Sequence, residues 1–515
     1  MTGALCEDGP VTRRLLRLAI VPLLAFVALL SWALASPIGA GPDDDYHLVS
    51  IWCASPTGGG GLCEPGATPG ERLVDERLVD VACFAQDPAE SAACQAWDEG
   101  ALVPTERGNF VGEYPPVYYA VHGLLASADI QASAMWMRVL TIILFLGAAG
   151  LTTWLAPPRV RDAAMWGWLV TSLPLGLSLV GSNNPSTWAV IGVGVAWSAL
   201  LAWYESPPGA RRWAAGGLFA AAVMGSAGSR ADAAIYVGFA IAVVLALTFR
   251  PTRAWWLRTI LPVVAGLSAA VFFLTAQQSS SATNGFSGGS GSVAPGAALP
   301  PTAYIPAPGT PVGEVLTGGD LFVSNALNVP FLWSGVFGTW GIGWLDTMVP
   351  WVVSLAAIAV FVGVLAYGLR VKDWRLTAVV VAAGVVLWAV PVYVLQAGGD
   401  LVGEQVQPRY LLPLIVLFAG LAMLAPRGRS VTIGRVPAWV FAVALAAANF
   451  IALHIVMQRY IVGIDGVAPL LASGAEWWWG GAPPPDLVWL VGSLAYGVLV
   501  VLLIGRMRRG AEVLS

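Results

Sequence analysis

The sequence predicts an all-α polytopic membrane protein of about twelve transmembrane helices, and three observations carry that prediction. Of 515 residues, 57% are hydrophobic and only 11% charged, where soluble domains carry about 25% charged residues. Apolar runs of about 20 residues, each long enough to cross ~30 Å of hydrocarbon, recur along the whole chain. Basic residues crowd alternate connecting segments, as they do on the cytoplasmic side of a membrane. A net charge of −4 gives no case for nucleic acid as a partner.

Residues 1–14 read as a cytoplasmic N-terminus and 15–37 as the first transmembrane helix. Arg13, Arg14 and Arg17 before an apolar run are also the pattern of a secretory signal. The run, nearer ~22 residues than the ~7–15 of a signal core, favours a retained span. Residues 38–131 form the first extracytoplasmic loop, 132–276 carry spans two to seven, and 277–346 form a second outer loop. Spans eight to twelve occupy 347–505, and 506–515 form a cytoplasmic tail. The joining segments PPRVRD (157–162), PPGARRW (207–213), RPTRAWWLR (250–258), RVKDWR (370–375), APRGRS (425–430) and RMRR (506–509) are basic. With both termini inside, seven arginines fall outside (Arg72, Arg77, Arg107, Arg138, Arg230, Arg409 and Arg459), leaving 19 of the 26 Lys+Arg inside. On the same count 24 of the 30 Asp+Glu lie outside. The expected location is the plasma membrane.

Cys53, Cys63, Cys83 and Cys94 share the first outer loop, and Cys6 stands apart inside. Four cysteines in an oxidising compartment predict two disulfides, with spacing favouring Cys53–Cys63 and Cys83–Cys94. In the same loop the tandem repeat ERLVDERLVD (71–80) alternates charge with Leu and Val and predicts a surface helix. The Gly/Ser/Pro-rich stretch 279–309 reads as a linker.

GPDDDYH (41–47) places Asp43, Asp44, Asp45 and His47 at the outer end of the first span. A negative helix terminus disfavours acids, so three there suggest a bound cation, arginine partners or a proton to abstract. A carboxylate beside apolar surface is a better general base. GEYPPVYYA (112–120) offers Glu113 and Tyr118 at the interface, where Tyr rings settle. GSNNPS (181–186) makes Asn184 an N-cap with Pro185 at the first helical position, and such a start binds anions. Arg138, Arg230, Arg409 and Arg459 fall at span ends, where arginine snorkels or meets an anion. FGTWGIGWLDTMVP (337–350) carries Asp346 in an interfacial, re-entrant-like segment, and Trp477, Trp478 and Trp479 suit an outer aromatic belt or a shelf for a sugar. There is no Walker A, HExxH or dinucleotide fingerprint. Helix centres lack ionisable residues, which a coupled transporter would place at the midplane.

In order, these stretches resemble the bacterial membrane family DUF2142. The resemblance rests on Pro42, Asp43, Asp44 and His47; on Tyr114, Pro115, Pro116, Tyr118 and Tyr119; on Asn184 and Pro185; on Gly343, Trp344 and Asp346; and on Gln407, Arg409, Tyr410, Leu411, Leu412 and Pro413. Asp44 departs from the glutamate of the family pattern. The family looks like a relative of the GT-C glycosyltransferases, which implies a GT-C-like fold and transfer of a sugar from a polyprenyl-phosphate donor to an envelope glycan or lipid acceptor. On that reading Asp43 or Asp44 is the general base, with His47 orienting it or binding phosphate. Arg230, Arg409, Tyr410, Asn184, Tyr118, Glu113, Asp346 and Arg138 are the candidate substrate-binding residues. A divalent cation held by Asp43 and Asp44 is one option for the phosphate. The alternatives are a lipid flippase or transporter and a non-catalytic envelope assembly protein.

Overall fold

The computed structural model describes residues 10–98, 100–284, 316–465 and 469–512. Among the described residues nine helices are long and apolar enough to cross a membrane, and the helices begin with α1 (Pro10–Leu34), then, after short helices α2 (Asp44–Cys53) and α3 (Val117–Gly123), α4 (Ile130–Leu155). The third span is broken into α5 (Pro158–Thr171) and α6 (Leu175–Val180), followed by α7 (Pro185–Glu205), α8 (Ala210–Ala227), α9 (Ala231–Thr248) and α10 (Arg253–Thr275). After α11 (Gly318–Ser334) come α12 (Trp351–Leu369), α13 (Trp374–Gly398), α14 (Pro408–Met423), α15 (Arg435–Ile461) and α16 (Pro485–Glu512). Cys6 and most of the Gly/Ser/Pro stretch lie outside the described residues.

α11 lies within the predicted second outer loop, and Gly318–Thr339 is long and apolar enough to cross a membrane. Asn325 donates to the Asp400 carbonyl and accepts from the Val402 amide, just beyond the outer end of α13. Gly335, at its other end, packs against Pro408 at the outer start of α14. The segment therefore packs beside α13 and against the start of α14.

Two helices form the centre. All of α7 from Pro185 to Tyr204 is buried, and α14 is buried along nearly its whole length. α7 shows no one-sided apolar stripe of a surface helix, because it is enclosed by other helices on all sides. Close approach is set by small residues. A Cβ on Gly167 of α5 would meet the Gly420 amide of α14 at 2.9 Å, and one on Gly420 would meet the Trp197 ring of α7 at 2.4 Å.

The first outer loop caps this bundle. Strands β1 (Cys63–Pro65), β2 (Arg72–Asp75) and β3 (Leu102–Thr105) pair antiparallel in that order, with Cys63 opposite Val74 and Val74 opposite Val103. The disulfides are Cys53–Cys63, tying α2 to β1, and Cys83–Cys94. The repeat ERLVDERLVD is not the continuous helix its alternation predicts. Its first copy supplies β2 and its second a single helical turn, Glu76–Val79. Asp75 makes the switch, accepting the Arg77 amide at 3.0 Å and both ends of the Arg77 guanidinium fork at 2.7 and 2.8 Å, so the strand stops where the cap begins.

Candidate functional site

The acid triplet does not hang from the negative end of α1, as expected, but starts α2. Asp44 and Asp45 occupy the first turn of that helix, where the dipole favours carboxylates. Asp43, the residue before it, has left-handed backbone angles (φ 62°, ψ 21°), a conformation that Asp tolerates better than most residues. This turn fans the three side chains apart. Asp44 faces inward, fully buried, and accepts the Gly41 amide at 2.9 Å. Asp45 pairs with both nitrogens of the Arg107 fork. Asp43 keeps its side chain 39% exposed while receiving the Arg409 Nη2 at 2.5 Å and lying 3.8 Å from Arg107. Asn184 pins the turn by donating to the Pro42 carbonyl at 2.8 Å, and its other side-chain atom caps α7 at Ser186.

Arg409 opens α14 after Pro408 and is 3% exposed, yet among the described residues its Nε and Nη1 have no hydrogen-bond partner. Unmet guanidinium donors at such depth are costly. Its guanidinium carbon is 4.9 Å from the Tyr410 ring centroid, and that of Arg230 is 4.7 Å from the same ring. The two cations are therefore within about 10 Å of each other. Arg230 is held by both oxygens of Asp232 at 2.9 Å, donates to Ser186 at 3.3 Å and lies 5.8 Å from the Tyr114 ring. From Arg230 and Tyr410 a cavity of about 430 Å³ runs between α9, α13 and α14 past Tyr236, Pro391, Val394 and Leu411. It is a groove with the Arg230–Asp232 ion pair at one end and an apolar body.

All five motif stretches fall inside residues 26–418, the part of the chain matched by the model of the DUF2142 predicted membrane proteins. The chain belongs to that family. It is a multi-pass membrane protein. No curated protein matches the sequence. A solved structure that matches is the crystal structure of ArnT from Cupriavidus metallidurans bound to undecaprenyl phosphate, with 16% identity, a TM-score of 0.42, and coverage of 98% of this chain and 78% of that one.

In this DUF2142 member the acids differ in the sign of their pKa shift as well as in direction. For Asp43 burial raises the pKa, but the Arg409 and Arg107 guanidinium groups outweigh it and hold the carboxyl below its usual value. Burial pushes Asp44 up to about 6, against weaker pulls from Arg138 and the Gly41 amide. Burial also drives His47 down to about 3, and its Nδ1 lies 3.0 Å from the Tyr119 hydroxyl. His47 is thus a neutral ring near pH 7 and supplies no positive charge to a phosphate. A raised acid pKa stabilises the fold below the unfolded value, and that stability is lost as pH rises through the folded value. Asp44→Asn is therefore expected to raise the thermal unfolding temperature at pH 8, by a stabilisation of at most about 3 kcal/mol, and much less at pH 4. An equal effect at both would show that Asp44 ionises without penalty.

The other predicted residues hold the frame. Arg138 is wholly buried and donates to the side chain of Asn183 and to the carbonyls of Ala33, Ser36 and Pro37, closing the end of α1. Asp346 pairs with buried Arg459 at 2.9 Å. Glu113 accepts the Tyr46 hydroxyl at 2.6 Å. Tyr118 packs against His122 and Trp188, and Trp479 donates to the Leu34 carbonyl. Two residues of the site were not singled out from sequence as candidates, Arg107 and Asp232, and Tyr114 entered only through the Tyr-Pro-Pro motif. Asp232 was readable as the acid two positions after Arg230, but Arg107 looks like any surface arginine until α2 turns Asp45 toward it. The residues do not fit a divalent cation. The three carboxylates point apart, two of them into arginines, and no group of three or more metal-ligating side chains occurs among the described residues.

Proposed function

We propose that this protein transfers a sugar from a polyprenyl-phosphate carrier to an envelope glycan or lipid at the outer membrane surface. The observation carrying this reading is the Asp43–Arg409 pair with its two free donors on Arg409, which shares the Tyr410 ring with Arg230, and both Tyr410 and Arg230 line the groove. The prenyl chain lies along the apolar body of the groove and its phosphate meets the guanidinium groups. The acceptor oxygen attacks the anomeric carbon as the bond from that carbon to the phosphate oxygen breaks, its electron pair leaving with the phosphate. Asp43, the accessible acid, takes the acceptor's proton, and configuration inverts. Arg409 offers Nε and Nη1 to the developing phosphate charge without first releasing Asp43, and preorganised donors of this kind contribute about 3–4 kcal/mol. Lipid-linked sugars of several kinds, presented to the protein in proteoliposomes, test the reading through release of polyprenyl phosphate followed by mass spectrometry. Arg230→Gln is expected to raise the donor KM about tenfold or more, the value of a charged hydrogen bond, with a smaller effect on kcat. No release from any donor, together with unchanged envelope glycans on deletion of the gene, would end this reading.

A further inference from the structure

At the opposite end of α7 from the acid turn lies a second cavity, of about 580 Å³, lined by Arg159, Arg250, Arg258, Arg427, Glu205 and Thr252 among others. α7 begins at Pro185 under Asp43 and ends at Glu205, so its 21 residues separate the two sites by roughly 30 Å. Four guanidinium groups here face one carboxylate. Glu205 takes both Arg159 and Arg427, and Arg258 donates to the Tyr204 carbonyl at 2.8 Å. The Arg250 side chain has neither a hydrogen bond nor an ion pair among the described residues. The positive start of the 23-residue helix α10 also opens into the cavity at Thr252 and Ala254. Like charges gathered in a recess repel unless an anion joins them, and a helix start beside arginines suits a phosphate.

We propose that this recess is a phosphate-ester site, independent of the outer one. The membrane lies beside it: Trp256, Leu257 and Ile260 on α10 are each 58% exposed on the helix that leaves the recess. A lipid whose headgroup phosphate sits among the arginines would lay its chains along that face, as anionic lipids do in basic pockets between membrane helices. A soluble phosphate ester offers the same chemistry without the chains. Native mass spectrometry of the full-length protein decides between them. Phosphatidylglycerol retained in preference to phosphatidylcholine of equal chain length supports a lipid source. Stabilisation against heat by millimolar glycerol 3-phosphate, without that lipid preference, supports a soluble one. In either case the double variant Arg250→Gln, Arg427→Gln is expected to weaken binding about tenfold or more, while Arg375→Gln, an arginine outside the recess stacked on Trp374, leaves it unchanged. Neither ligand bound, or equal binding by the double variant, overturns the proposal.

Discussion

Asp43→Asn is expected to lower sugar transfer by about 10²–10⁴-fold, the usual contribution of a general base, while the protein still inserts and folds. Asparagine keeps the size of the side chain and an oxygen for Arg409, but it cannot take a proton. The loss should appear in kcat, because the group acts on the acceptor as the bond breaks. Asp45→Asn is the matched control: that carboxylate is engaged by the half-exposed Arg107, and its loss should change turnover only a few-fold. Proteoliposomes carrying each variant, with envelope glycans from complemented deletion cells, supply the comparison. Full turnover by Asp43→Asn would take this residue out of the chemistry.

On the function proposed above, the pairing of Asp43 with Arg409 would also set when the base becomes strong. In the free protein Arg409 holds the carboxyl below its usual pKa, which makes it a weak base. A donor phosphate bound by the same guanidinium draws positive charge away from the carboxylate and raises its basicity. Donor binding and base activation would thereby be one event, and a site without donor would not take protons from stray hydroxyls. Arg409→Gln should accordingly damage both donor binding and turnover, whereas Arg230→Gln, whose cation is matched by Asp232, acts mainly on binding.

How much of this could be seen in the sequence depended on whether the information was local. Span positions follow from apolar length, and the disulfides join cysteines 10 and 11 residues apart, so both were readable. Asp43 was visible because a triplet of acids beside a span is unusual, but its separation from Asp44 needed the left-handed turn, which no composition announces. Arg409 and Asp43 are 366 positions apart, and their meeting is a property of the packed helices. The repeat shows the reverse. Identical pentapeptides became strand and helical turn because Cys63–Pro65 and Leu102–Thr105 pair with only one copy, so tertiary context overrode local pattern.

Asp346 marks the boundary between motif and mechanism, and Arg459→Leu tests it. Arg459 is wholly buried and binds the Asp346 carboxylate together with the carbonyls of Phe84, Asp87 and Glu90, lashing the Cys83–Cys94 segment to α15. Removing the cation leaves Asp346 charged and unpaired in the interior, a loss of about 3–5 kcal/mol, and a large fall in unfolding temperature is expected. Combining Arg459→Leu with Asp346→Asn should recover part of that loss, since the second change removes the stranded charge and two contacting sites do not add. In whatever fraction stays folded, the donor KM should be unchanged. If Asp346→Asn instead raised the donor KM at an unaltered unfolding temperature, Asp346 would touch substrate, and the frame assigned to it here would have to be redrawn as part of the site.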